Sequence, residues 1–289
     1  MKREDEKIRN KIKVSIVTPS YNQAEFIEDT IKSVMIQDYD NIEHLIIDGD
    51  SKDETISILK KYENKYNMKW VSEKDGGQAD AISKGLNRAS GEIHAWLNSD
   101  DVYISKSAVS QVVGAFKKYD HADVVTGGAT LISKNGSYLQ PIRRNDFRVS
   151  SKYLKYSDSI IQPATFWKRY VTDEIKIQKE LKYTFDWDFF IKCSEKYSIL
   201  PLNYLIAGYR WHGENKTAVG STERLEELFK TTEKYMGKYS WQAFLLRFYY
   251  SVFVLSEYLP ENTEKVVKKI VKSVNRGVRK ISSRRITAL

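Results

Sequence analysis

Cysteine is nearly missing from this chain: Cys193 is the one thiol in 289 residues. That excludes an internal disulfide framework and fits a reducing compartment. Its neighbours Ile191, Lys192 and Ser194 offer no general base, so the thiol reads as a packed residue. Long apolar runs are missing too. No stretch of about 20 uninterrupted apolar residues exists, so no spanning helix is expected. The opening Met1-Lys2-Arg3-Glu4-Asp5-Glu6 is too charged for a signal peptide. No G-x-G-x-x-G follows the first strand pattern, which argues against an NAD or FAD fingerprint. No G-x-x-x-x-G-K-[ST] occurs either, which removes the P-loop NTPases. Internal repeats and low-complexity linkers are likewise absent. What is present is a globular composition, 41% hydrophobic and 29% charged, with generous aromatics at 12%. The length suffices for one large domain, or one domain plus an extension.

Charge is unevenly spread. Between Pro260 and Leu289 there are nine Lys/Arg against two Glu, so most of the +9 net charge belongs to a tail. The body is near neutral.

The periodicities alternate between strand and helix. Val14 to Thr18 is a short, β-branched, apolar strand with a Pro-Ser turn after it. A helical pattern follows through Phe26, Ile27, Thr30, Ile31 and Val34. His44 to Ile47 makes a second strand, closing on Asp48-Gly49-Asp50. Ser51 and Glu54 have the spacing of a capping box for the next helix. Met68 to Val71 is a third strand, Gly76-Gly77 precede a helix carrying Ala81, Ile82 and Leu86, and Glu92 to Leu97 is a fourth strand. Helices are expected over Val109–Phe116, Trp187–Tyr197 and Glu223–Tyr235, and a strand at Val124–Thr126. This order predicts an α/β fold with a mostly parallel, Rossmann-like sheet flanked by helices and a C-terminal helical extension.

The fourth strand delivers Trp96-Leu97-Asn98-Ser99-Asp100-Asp101. Paired carboxylates repel unless a cation or proton lies between them. Mg²⁺ and Mn²⁺ use one or two protein carboxylates and take other ligands from phosphates and water. In open α/β sheets such ligands bind at the carboxyl ends of strands.

Seven segments standing in order resemble a family-2 glycosyltransferase of the GT-A fold. They are Val14 to Asn22, Ile47 to Asp53, Asp75 to Ile82, Trp96 to Asp101, Gln162 to Trp167, Phe185 to Asp188 and Tyr209 to His212. The resemblance implies an inverting enzyme that moves a sugar from a nucleotide-diphospho-sugar, UDP- or dTDP-linked, to a glycan or polyprenol-linked acceptor. It implies a base pocket from Thr18, Pro19, Tyr21 and Asp48, with Gln78, Asp80, Asn98 and Ser99 shaping the donor site. Mn²⁺ or Mg²⁺ would be held by Asp100, with Asp101 and His212 as further ligands and Arg210 and Lys216 as phosphate partners. Asn98 stands where the family's first acidic residue usually lies, and Phe185 replaces a Glu. Asp186 is the expected general base, with Asp188 as the alternative. Gln162, Trp167 and Trp187 are expected at the sugar or acceptor. A nucleotidyltransferase would need a Gly-rich basic loop after the first strand, which Thr18 to Asn22 do not supply; a non-catalytic sugar-nucleotide-binding or membrane scaffold protein is the other alternative.

The expected division is an N-terminal tail 1–11, a GT-A domain 12–220 with halves 12–103 and 104–220, and an extension 221–289. Within 262–281, Val266, Val267, Ile270, Val271, Val274, Val278 and Ile281 form one helical stripe flanked by Lys and Arg. Such a helix suits an anionic membrane surface, or packing on the body or a second subunit, rather than nucleic acid. The expected location is therefore cytoplasmic, peripheral at the inner face of the cell membrane.

Overall fold

The computed structural model describes residues 11–142, 149–155, 158–212 and 222–241, with 243, 244, 247, 248 and 251. Lys216 and the segment 262–281 lie outside the described residues. Two compact units are present, Met1–Leu154 with Ser159–Ala218, and Lys155–Asp158 with Val219–Leu289.

The first unit opens with β1 (Val14–Ser20), α1 (Ile27–Met35), β2 (Ile42–Asp48), α2 (Thr55–Tyr62), β3 (Met68–Ser72), α3 (Gln78–Arg88) and β4 (Ile93–Trp96). Every residue of β1 and β2 is buried, as expected of parallel strands covered on both faces. β1 pairs in parallel with β2 and β4, and β2 with β3. Helix α3 comes so close to this layer that a Cβ on Gly85 would lie 2.3 Å from Val17 Cγ1. Only glycine permits that approach.

The chain continues through β5 (Val102–Tyr103), α4 (Ala108–Lys118), β6 (Val124–Ile132), β7 (Tyr138–Ile142) and a short α5 (Ser151–Leu154). A 3₁₀ turn at Gln162–Ala164 leads into β8 (Thr165–Lys168), α6 (Arg169–Glu174), α7 (Phe185–Lys196) and β9 (Ile199–Arg210). One nine-stranded sheet results, in the order β3-β2-β1-β4-β8-β6-β9-β5, with β7 on β6. Parallel pairing prevails through β4. Beyond it the sheet is mixed, because β8 runs antiparallel to both β4 and β6 while β9 runs parallel to β6. The second unit contains α8 (Thr222–Met236), close to its expected span.

The expected capping box at Ser51 and Glu54 does not form. The Ser51 hydroxyl donates to Asp48 Oδ1 at 2.5 Å, and α2 opens with Thr55 N donating to Asp53 Oδ1 at 3.0 Å. A carboxylate three residues upstream captures the serine first.

At the far end of β2, Glu43 is buried under four donors. Ser15 Oγ reaches it at 2.7 Å, Ser90 N and Oγ at 3.0 Å, and Lys13 Nζ at 3.2 Å. Burial alone would raise its pKa; these donors together outweigh it and bring the carboxyl to about 2. A depressed folded-state pKa gives stability that is complete above the ordinary 4.5 and is lost as pH falls toward about 2. Glu43→Gln is expected to remove about 2–3 kcal/mol at neutral pH and to flatten the stability profile across that window. Urea unfolding of wild type and variant between pH 2 and 5 checks this; parallel profiles would refute it.

Candidate functional site

The loop after β4 carries a polar network that joins several elements. Asn98 accepts from Gln78 Nε2 at 2.9 Å and donates to Gln162 Oε1 at 3.1 Å and Asp101 Oδ2 at 3.2 Å. Gln162 in turn donates to the Trp96 carbonyl at 2.6 Å. These amides tie α3, β4 and the 3₁₀ turn together. Ser99 is buried; its carbonyl, like that of Asp101, accepts from Thr30 Oγ1 on α1.

The two acids separate in role. Asp101 turns into the core, 1% exposed, and accepts from Arg210 N at 3.0 Å. Burial, followed by the charge of Asp100, pushes its carboxyl well above the usual range. Both of its oxygens are turned inward, Oδ1 to Arg210 N and Oδ2 to the Asn98 amide, where they hold the loop to β9. Asp100 is half-buried, with Oδ2 3.2 Å from His212 Nε2. His212 is nearly buried, and its ring packs on Phe26 at 4.6 Å.

Arg210 does not present its guanidinium to a phosphate. It is 1% exposed, and Nε donates to the Asp100 carbonyl, Nη1 to the Lys134 carbonyl and Nη2 to Asp29 Oδ2, at 2.7–2.9 Å. Its carbon Cζ lies 5.3 Å from the Phe26 ring centroid. Asp29, Thr30 and Phe26 thus shape this end of the site, though no spacing signal links them to residues so far along the chain.

At the ends of β1 and β2 the pocket residues also sort themselves. Thr18 faces inward, its hydroxyl 2.9 Å from His44 Nε2, whose pKa burial lowers to about 3. Pro19 is buried opposite Ile47, whereas Tyr21 stands 59% exposed. Asp48 is fully buried and receives Ser51 N, Ser51 Oγ and Ser72 Oγ. Asp80 binds Gly76 N, Lys179 and Lys84; led by Lys179, these bring its carboxyl down to about 2. It fixes the Gly76-Gly77 turn.

At the start of α7, Asp186 is half-buried and accepts from Trp187 N at 2.8 Å. Asp188, two residues on, is 1% exposed and paired with Lys192 at 2.6 Å. The expectation that Trp167 and Trp187 meet sugar or acceptor is corrected. Trp167 is buried against Trp96 and Phe189, with its Nε1 on Thr172 Oγ1. Trp187 is buried with its Nε1 on the Leu154 carbonyl. Aromatic core and aromatic site look alike in sequence.

No group of three or more His, Cys, Asp or Glu able to hold a metal occurs among the described residues. The Asp100–His212 pair nevertheless fits a hard divalent ion that completes its shell from diphosphate and water.

The fold is that of GT-A glycosyltransferases. The S. aureus TarS 1-349 structure in complex with UDP-GlcNAc superposes with a TM-score of 0.65, at 17% identity, over 87% of this chain and 83% of that one. A mannosyltransferase from Pyrobaculum calidifontis, in complex with GDP-Man and Mn²⁺, gives 0.62 at 14% identity over 94% and 83%. The model of glycosyl transferase family 2 matches residues 15–186, and the chain belongs to that family. An uncharacterized glycosyltransferase of Rickettsia prowazekii (strain Madrid E) is 30% identical over 239 residues, 78% of this chain and 73% of the relative. One of Rickettsia bellii (strain RML369-C) is 27% identical over 80% of this chain, but the match spans only 36% of that longer protein. The putative teichuronic acid biosynthesis glycosyltransferase TuaG of Bacillus subtilis (strain 168) is 42% identical over 91 residues, 30% of this chain and 36% of the relative.

Asn98→Asp would set a carboxylate against Asp101 and against the Gln162 carbonyl oxygen, where the amide now donates. We expect a loss of about 1–3 kcal/mol in urea unfolding. An unchanged midpoint would show that the amide does not hold the paired acids.

Proposed function

We propose that this chain is a metal-dependent, inverting glycosyltransferase. It moves a sugar from a UDP- or dTDP-linked donor to a hydroxyl of a glycan or polyprenol-linked saccharide. The observation that carries this reading is the pairing of Asp100 with His212 at the carboxyl end of β4, in a chain of family 2. These two residues would hold Mn²⁺ or Mg²⁺, which when bound supplies positive charge to the leaving diphosphate.

Asp186, half-buried at the start of α7, is the base in this reading, while Asp188 is buried against Lys192. It takes the proton as the acceptor oxygen bonds to the anomeric carbon. The bond from that carbon to the diphosphate oxygen breaks, and its electron pair leaves with the diphosphate. A single displacement from the opposite face inverts configuration. Tyr21, exposed at the end of β1, offers an aromatic face to the base.

Surface-polysaccharide assembly at the inner face of the cell membrane is the setting we infer. The teichuronic acid biosynthesis ascribed to the Bacillus subtilis relative and the Lys/Arg-flanked apolar pattern within 262–281 support it. In the second unit, Trp241, Phe244 and Phe248 are each about 60% exposed at i, i+3, i+7 spacing, which suits an interfacial surface. No helix among the described residues is long and apolar enough to cross a membrane.

Calorimetric titration of UDP, dTDP and GDP with and without Mn²⁺ tests the donor site. One nucleotide should bind in a metal-dependent way, and Asp100→Ala should abolish that dependence. Absence of binding by all three would overturn the reading. Once a donor is found, Asp186→Asn should lower kcat by about 10²–10⁴ with donor binding retained. Asp188→Asn should act chiefly on stability; the reverse result would exchange their roles.

A further inference from the structure

The donor's base needs a recognising group, and Asp48 cannot reach it. Its side chain is fully buried, and three protein donors already occupy its oxygens. One residue further, Gly49 donates its N–H to the Ser20 carbonyl at 2.8 Å, which places it beside the end of β1 and next to Tyr21. Gly49 has no side chain to meet a ligand. A different carboxylate fills that space: Asp75, from the loop between β3 and α3. A Cβ added to Gly49 would fall 2.9 Å from Asp75 Oδ2.

Asp75 is held in a defined orientation. Its Oδ1 accepts from Gly77 N at 2.7 Å, in the glycine turn whose Gly77 has φ 106°. Its Oδ2 makes no hydrogen bond among the described residues, and the side chain is half-buried rather than solvated. Burial, and behind it the charges of Asp80 and Asp48, raises its carboxyl, as expected of a group short of donors. A half-buried carboxylate oxygen with no donor, at the rim shared by β1 and β2, is a receptor for an N–H.

We propose that Asp75 reads the nucleobase of the donor by accepting its ring N–H through Oδ2, with Gly49 kept bare so that the carboxylate can lie across it. This rests on the nucleotide-sugar reading above. One free oxygen matches the N3–H of uracil or thymine, a single donor flanked by carbonyls. Guanine offers adjacent N1–H and N2–H donors and would be matched better by a carboxylate with both oxygens open. Cytosine and adenine present an acceptor at the equivalent ring nitrogen and are rejected.

The test uses the full chain with Mn²⁺ and three probes: UDP, CDP and N3-methyl-UDP. Wild type should bind UDP about tenfold or more tightly than either of the others, the loss expected for one charge-assisted hydrogen bond. In Asp75→Asn the amide oxygen can keep Gly77 N–H, which puts the NH₂ where Oδ2 stood. The preference should then swing toward CDP, and UDP and N3-methyl-UDP should fall to within about threefold of each other, because the N–H no longer meets an acceptor. A purely structural role would weaken all three probes alike. Gly49→Ala, which crowds Asp75 without altering its charge, should reduce the same ratios. If wild type binds UDP but shows no preference over N3-methyl-UDP, or if Asp75→Asn leaves the ratios unchanged, Asp75 is not the reader and the donor reading survives. If wild type binds none of these probes, the Asp75 proposal falls, and the donor reading falls with it only if dTDP and GDP also fail to bind.

Discussion

The site depends on burying one carboxylate directly beside another. Asp101 lies in the core while Asp100, its neighbour, is half-buried. Such a pair is tolerable only if donors surround the buried member. They come from far along the chain, from the Arg210 backbone on β9 and from the Asn98 amide. Arg210 then spends its side chain on the Asp100 carbonyl, Asp29 and the Lys134 carbonyl. One buried carboxyl thereby locks the loop after β4, helix α1, the β6–β7 turn and the end of β9 into a single arrangement. His212, two residues past Arg210, is carried to Asp100 by that lock.

Asn98 follows from the same constraint. A residue there must donate twice, to Asp101 and Gln162, and accept once, from Gln78. An amide can do all three; a carboxylate cannot donate. In the proposed reading the site offers one partly exposed carboxylate and one imidazole, so its affinity for a divalent ion would lean on the substrate's own phosphates. Metal and nucleotide should bind as a coupled pair rather than as two independent ligands.

The order and type of elements through β4 were legible because strands buried on both faces read as plain apolar runs, and amphipathic helices carry a 3.6-residue period. The antiparallel β8 was not, since Thr165 to Lys168 is short and its pairing is non-local. Which face of β1 meets the pocket was equally hidden. Thr18 and Tyr21 look alike as site residues, yet one bonds to buried His44 and the other is exposed. Trp167 and Trp187 failed as site residues for a related reason, because the sheet and α7 need large rings between them. Arg210 was legible as important but not in its role: its partner Asp29 lies 181 residues away. The carboxyl pairs resisted reading most, because alternatives two or three residues apart differ only in which neighbour captures them. Lys192, four residues past Asp188, settles that residue's surroundings, as Ser51 does for Asp48.

Strand order then gives these separate features one purpose. In the sequence β3-β2-β1-β4, the ends of β2 and β4 lie two strand spacings apart, about 10 Å. Gly49, with Asp75 over it, marks the first end, and Asn98 with Asp100 marks the other. Tyr21 rises between them from β1. In the proposed reading, a nucleoside diphosphate laid across these ends would meet Asp75 and the Tyr21 ring at its nucleobase and the Asp100–His212 pair at its phosphates. The ends of β2 and β4, which carry the two acidic positions, lie on either side of β1. Such a separation would let one carboxylate read a neutral N–H while the other works on charge, and it comes from the topology rather than from any single motif.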